Sequence, residues 1–181
     1  MKVYGSEEIR SVVLLGHGGV GKTTVAEAMA YASGVTKRRG KVQEGNTISD
    51  YDPEEIKRKF SINSSVIPVE WDGYKINVLD TPGYFDFVGE AKEALHVAEA
   101  GIIVVSAKSG VQVGTEIAWD MLEERKTPRF IFVNGMVREL FVDLALTIAY
   151  SLVASLLIAL TVVPAMSSTM LRNTEPKPQN L

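Results

Sequence analysis

At 181 residues, 46% hydrophobic and 23% charged, the chain is long enough for one domain with a sizeable core. A formal net charge of -3 excludes an overall basic field, so any contact with nucleic acid must come from local patches. The absence of cysteine removes disulfide partners, thiolate metal sites and cysteine nucleophiles together, and fits a reducing compartment. The first residues, MKVYGSEEIR, carry acids and no apolar run, unlike a secretory signal. Short β-rich runs follow in order: VVLL (12–15), VIPVEW (66–71), YKINVLD (74–80), GIIVVSA (101–107) and RFIFVN (129–134). Helical patterns at 22–32, 89–98 and 114–125 alternate with them, as in an α/β sheet. The Asp72-Gly73 pair predicts a hairpin, so the second and third strands should be antiparallel and the later ones parallel.

Chemistry concentrates at two strand ends. GHGGVGKT (16–23) satisfies the G-x-x-x-x-G-K-[ST] phosphate-loop pattern, in which curled backbone points successive N–H groups at phosphate oxygens and the next helix adds its dipole. Lys22 would reach the β- and γ-phosphates and Thr23 would coordinate Mg²⁺. The alternative is a glycine-rich strand-to-helix turn with no ligand. DTPG (80–83) closes the third run, where Asp80 would hold Mg²⁺ through a water and the Gly83 N–H would face the γ-phosphate. Alone, that tetrapeptide is an ordinary strand-ending turn.

These motifs, with RRGKVQEGNTISDYDPEE, KRKFSINSSV and VLDTPGYFDFVGE in the same order, make residues 1–136 resemble the GTP-binding domain of translational GTPases, above all elongation factor G. The resemblance implies an α/β P-loop NTPase-like fold, GTP hydrolysed to GDP with Mg²⁺, a ribosomal partner and a cytoplasmic location for this part. It places Gly16, His17, Gly18, Gly19, Val20, Gly21, Lys22, Thr23 and Thr24 in the phosphate cradle, with Asp80, Gly83 and Asn134 also on the nucleotide. It implies Thr23, Ser61 and Asp80 as the metal set, and Lys22 and the residue at Tyr84 as the catalytic positions.

Two departures stand out. Tyr84 occupies the place of the histidine that orients the attacking water; a phenol is a poor base at neutral pH, so it either positions a water or packs between the switch segments. The guanine-reading loop N-K-x-D reads Asn134, Gly135, Met136, Val137, without its lysine and its acid. The lost acid would have accepted two hydrogen bonds, each worth roughly 1.5 to 3 kcal/mol, so preference for guanine over adenine should fall. The basic runs KRRGK (37–41) and KRK (57–59) are either RNA contacts or solvated switch charge.

The rest of such a domain does not follow. Residues 144–171 carry no charge, a length that exceeds the about 20 residues needed to cross a bilayer, and the apolar surface runs all round. Ala149, Ser151, Ala154, Ser155 and Ala159 would permit close packing with other membrane helices, and a buried core helix is the alternative. Residues 138–173, with VVPAMSSTMLRN, resemble a transmembrane helix of resistance-nodulation-division efflux transporters, in which the span ends at a VPA-like turn. One such helix implies no transport pathway. The expected organisation is a truncated GTP-binding domain (1–136), an apolar transmembrane-like helix (137–173) that meets lipid through 144–166 and tethers the chain to a membrane, and a polar tail (174–181). A junction between unrelated coding segments would lie at or near Met136 and Val137. The competing functions are an incomplete GTP hydrolase, a membrane fragment carrying a passenger without catalysis, and a tethered switch that binds without hydrolysing.

Overall fold

The chain is described from a computed structural model covering residues 3–172; the polar tail expected at 174–181 lies outside the described residues. It divides into two units, residues 1–136 and 137–181. In the first, the elements are β1 (Ile9–Leu15), α1 (Lys22–Ala32), α2 (Pro53–Arg58), β2 (Ser65–Trp71), β3 (Tyr74–Asp80), α3 (Val88–Val97), β4 (Ala100–Ser106), α4 (Val113–Glu124) and β5 (Arg129–Asn134). The five strands form one sheet in the order β2-β3-β1-β4-β5. Only β2 and β3 are antiparallel, joined through Asp72 and Gly73, whose φ values of 46° and 86° are those of a tight hairpin turn. β1 pairs in parallel with β3 and β4, and β4 with β5.

Alternation along the strands builds two apolar layers. Val13 and Leu15 of β1, with Ile103 and Val105 of β4, pack against α3 and α4. Leu14, Ile102 and Val104 face the opposite way, onto Val25, Ala26 and Ala30 of α1. The layering thins toward β5. Residues 102–105 are no more than 7% exposed, whereas Phe130, Ile131, Phe132 and Val133 are 37% to 55% exposed although equally apolar.

The six-residue helix α2 is too short to show a 3.6-residue period, and periodicity alone misses it. Its ends are specified locally. Asp52 caps it, accepting from Glu54 N at 2.8 Å, Pro53 fills its first turn, and Glu55 returns to the Asp52 amide at 3.3 Å.

The described residues of the second unit, from Val137 on, belong to the helix α5 (Met136–Arg172). The turn expected at Val163-Pro164-Ala165 does not form; the helix runs through Pro164 to Arg172. Proline removes one amide and one intrahelical bond without forcing an end, a loss that helices in apolar surroundings tolerate. Leu144–Val162 is apolar enough to cross a membrane, with a mean hydropathy of 2.2 and none of its span buried. Two of its hydroxyls turn inward: Ser151 donates to the Ile148 carbonyl at 2.8 Å and Thr161 to that of Leu157 at 2.6 Å.

Candidate functional site

Because β1 and β3 are parallel and Leu14 lies opposite Asp80, the segments leaving both strands emerge at one edge of the sheet. The Thr81 hydroxyl locks them by donating to the Leu14 carbonyl at 2.6 Å. A cleft of about 500 Å³ opens there. Gly18, Gly19, Gly21, Lys22, Thr23 and Thr24 form one wall; Arg39, Lys41, Asp50, Lys59, Phe60 and Ser61, from the segment between α1 and β2, form another; Thr81, Gly83 and Tyr84 close it.

The loop wraps around its own lysine. Lys22 Nζ donates to the carbonyls of Gly16 and His17 at 3.1 and 3.0 Å, leaving one proton for a ligand. Burial pulls its pKa down to about 8, against the nearby Asp80 carboxylate, which favours the charged form. Gly83 approaches so closely that a Cβ there would lie 2.8 Å from the Gly18 amide, so only glycine keeps this seam. Gly21 has φ of 96°, and a Cβ on it would collide with the Asn134 amide.

Asp80 is 1% exposed, and neither of its oxygens has a hydrogen-bond partner among the described residues. Burial pushes its pKa up to about 6; the Thr23 hydroxyl, the Lys22 ammonium and the Ser49 hydroxyl lie near enough to pull it back, without completing a bond, and Asp50 pushes it further up. Next to it a hydroxyl chain runs between the walls. Ser61 Oγ donates to Asp50 Oδ1 at 2.7 Å, so the 3.2 Å contact between Thr23 and Ser61 has Thr23 as donor. Burial raises the Asp50 pKa as well, opposed by the hydrogen bonds of the Ser61 and Thr47 hydroxyls. An unpaired buried carboxylate beside two hydroxyls is an all-oxygen donor set, and it fits a hard cation such as Mg²⁺.

The expected residues therefore divide. Gly18, Gly19, Gly21, Lys22, Thr23, Thr24, Ser61, Gly83 and Tyr84 line the cleft, and Asp80 is buried beside Thr23 and Lys22. His17 lends only its carbonyl; its ring stands edge-on to Phe85, 6.0 Å away, and close to Gly114. Val20 is 2% exposed with its side chain in the α1 layer. Gly16 lies under Val104, whose carbonyl oxygen would be 2.5 Å from a Cβ. Asn134 supports the loop from behind, donating from Nδ2 to the Val20 carbonyl at 2.9 Å across 114 residues of sequence.

Tyr84 packs. Its ring covers Gly18, where a Cβ would sit 3.0 Å from Tyr84 Cζ, and tilts onto Phe60 with centroids 4.7 Å apart. Phe60 and Asp50 were missed in the sequence. A signal for Asp50 existed: the Asp52-Pro53-x-Glu55 capping pattern accounts for Asp52, leaving Asp50 as the unexplained acid of SDYDPEE.

Residues 7–148 match the family model of the Elongation factor Tu GTP binding domain, and residues 128–181 match the AcrB/AcrD/AcrF family, so the two matches overlap at 128–148. Ribosome-releasing factor 2, mitochondrial, of Drosophila willistoni is 40% identical over 133 residues, 74% of this chain and 18% of that protein. Elongation factor G 2 of Borreliella afzelii (strain PKo) is 39% identical over 130 residues, 72% of this chain and 19% of that protein. A crystal structure from Thermus thermophilus superposes with a TM-score of 0.68 at 44% identity, covering 78% of this chain and 22% of its own. The chain spans about a fifth of the length of these curated relatives. Since the first family match takes in every element that builds the cleft, the chain belongs to the Elongation factor Tu GTP binding domain family.

Proposed function

We propose that the first unit binds GTP with Mg²⁺ and hydrolyses it to GDP and phosphate, as the nucleotide-binding end of an elongation factor G-type translation factor acting with the ribosome in the cytoplasm. One observation carries this reading: beside the cleft, the buried Asp80 carboxylate has no hydrogen-bond partner among the described residues, and the Lys22 ammonium has a proton to spare. Water attacks the γ-phosphorus, the bond to the β-γ bridging oxygen breaks, and the electron pair leaves on GDP. Loop amides and Lys22 stabilise the charge that develops on the leaving oxygen. Thr23, Ser61 and Asp80 would hold the metal, which would neutralise negative charge on the phosphates. Packing of Tyr84 on Gly18 and Phe60 favours a role that joins the two walls over a role as base. Hydrolysis by this chain is correspondingly slow without a stimulating partner.

Val137 stands where the guanine-reading acid belongs, and the Asn134 amide is bonded to the loop. Purine discrimination is therefore weak. Calorimetric titration with GTP and ATP in Mg²⁺ tests this: both should bind, GTP by less than about tenfold better, and Lys22→Ala should abolish both. A preference for GTP of about a thousandfold, or binding that survives Lys22→Ala, contradicts the assignment.

A second reading concerns α5. Its unburied apolar span favours residence in a bilayer, making the chain a membrane-held fusion of two coding segments joined near Met136 and Val137. Flotation with liposomes tests the first part, and sequencing independent source DNA across the junction tests the second. A continuous elongation-factor frame there would show that the fusion is not natural.

A further inference from the structure

The two basic runs at 37–41 and 57–59 are only partly used by the fold. Lys41 pairs with Glu44 at 2.6 Å, and Lys57 and Arg58 both pair with Glu54 on the exposed side of α2, at 4.0 and 3.0 Å. Arg39 and Lys59 differ from these. Neither has an ion-pair partner among the described residues, and both line the cleft opposite the phosphate loop. Arg39 reaches the α1 end of the loop, its Nη2 3.5 Å from the Thr24 carbonyl.

Lys59 is also held in an unfavourable backbone state. It ends α2 with φ of 63° and ψ of 33°, a left-handed conformation at a helix end where glycine is the usual residue. The segment that follows is pinned in place. Ser61, two residues on, meets Thr23, and Glu55 accepts from the amides of Ile62 and Asn63 at 2.8 and 2.9 Å. A lysine at a glycine-type position is thus anchored two residues before the Ser61 hydroxyl that meets Thr23, its Nζ 3.5 Å from where a Cβ on Gly45 would lie and without an ion-pair partner among the described residues.

We propose that Arg39 and Lys59 are a second pair of phosphate-binding cations, carried by the wall opposite Lys22, that contact the terminal phosphate of a bound nucleoside triphosphate and favour it over the diphosphate. The inference rests on the nucleotide reading above. Lys22 and the loop amides hold the β-phosphate that both ligands share as well as the terminal one, whereas Arg39 and Lys59 would meet only the charge lost on hydrolysis, which belongs to the terminal group. Release of the product phosphate would leave Arg39 and Lys59 without a counter-ion, and the wall they sit on would loosen.

The test uses the full chain in detergent, with Mg²⁺ and either GDP or guanylyl imidodiphosphate, a triphosphate that does not hydrolyse. Arg39→Gln and Lys59→Gln should each weaken triphosphate binding by roughly tenfold and diphosphate binding by less than about twofold. The salt dependence of triphosphate binding should fall in both. Lys59→Gly should show the same selective loss while raising Tm, because the backbone strain is relieved. Lys57→Gln, already paired away from the cleft, should match the wild type. Variants that bind both nucleotides like the wild type, or lose both equally, overturn the proposal and leave the nucleotide reading intact. Wild-type chain that binds neither nucleotide overturns both.

Discussion

Asp80 is a carboxyl group that folding leaves without a hydrogen-bond partner among the described residues, and its properties follow from that. Its pKa is pushed up from the ordinary 3.8 to about 6, so the nucleotide-free fold binds a proton more tightly than the unfolded chain does. The resulting penalty is absent below about pH 4, grows as pH rises to about 6, and persists above it. Asp80→Asn should therefore melt higher than the wild type at about pH 7 without ligand, by up to about 3 kcal/mol, with the gap closing near about pH 4. The same variant should lose the stimulation of nucleotide binding by Mg²⁺. Thermal melts across this pH range, with and without Mg²⁺ and GTP, check both halves; equal melting at neutral pH would remove the cause assigned here. Lys22 behaves with the opposite sign. Its pKa is lowered to about 8, so its penalty is complete below that pH and fades as pH rises toward the unfolded value. Placing charges at a cost in the free protein makes the ligand part of the folded state.

At the scale of elements, carboxylates on helices hold the long segment between α1 and β2. Glu27 of α1 accepts from the amides of Gly40 and Ile48, Glu55 of α2 from those of Ile62 and Asn63, and Glu90 of α3 from that of Ser64. Glu27 and Glu55 are 1% and 2% exposed, so their bonds are charge-assisted and little screened. Glu55→Ala should cost about 2 to 4 kcal/mol in local opening, read as faster hydrogen exchange at Ile62 and Asn63, with Glu55→Gln in between. Unchanged exchange would show that other contacts hold the segment. This layer was not legible in the sequence. The strands were, because β-branched runs bounded by turns mark them without tertiary help, and the phosphate loop was, because its spacing is local. Glu27 and Glu90 act across 13 to 26 residues, and nothing in their immediate surroundings distinguishes them from solvated acids. Pro164 misled in the other direction, since a breaker in water is tolerated within an apolar helix.

At the scale of the whole molecule, both units carry apolar surface that the described chain leaves uncovered. β5 is an edge strand with four consecutive apolar residues at 37% to 55% exposure, and Leu144–Val162 has none of its span buried. Ile131→Lys should reduce self-association in light scattering while leaving nucleotide affinity within about twofold, because among the described residues of β5 it is Asn134 that bonds the loop. Deleting residues 144–162 should abolish flotation with liposomes. The central claim concerns the loop itself: that amides of residues 18–22 and the Lys22 ammonium hold a triphosphate. Isothermal calorimetry of the purified chain with GTP and Mg²⁺ measures it most directly. The expected result is a saturable heat that requires Mg²⁺ and disappears in Lys22→Ala; no heat with any purine triphosphate, or the same heat in Lys22→Ala, would contradict it.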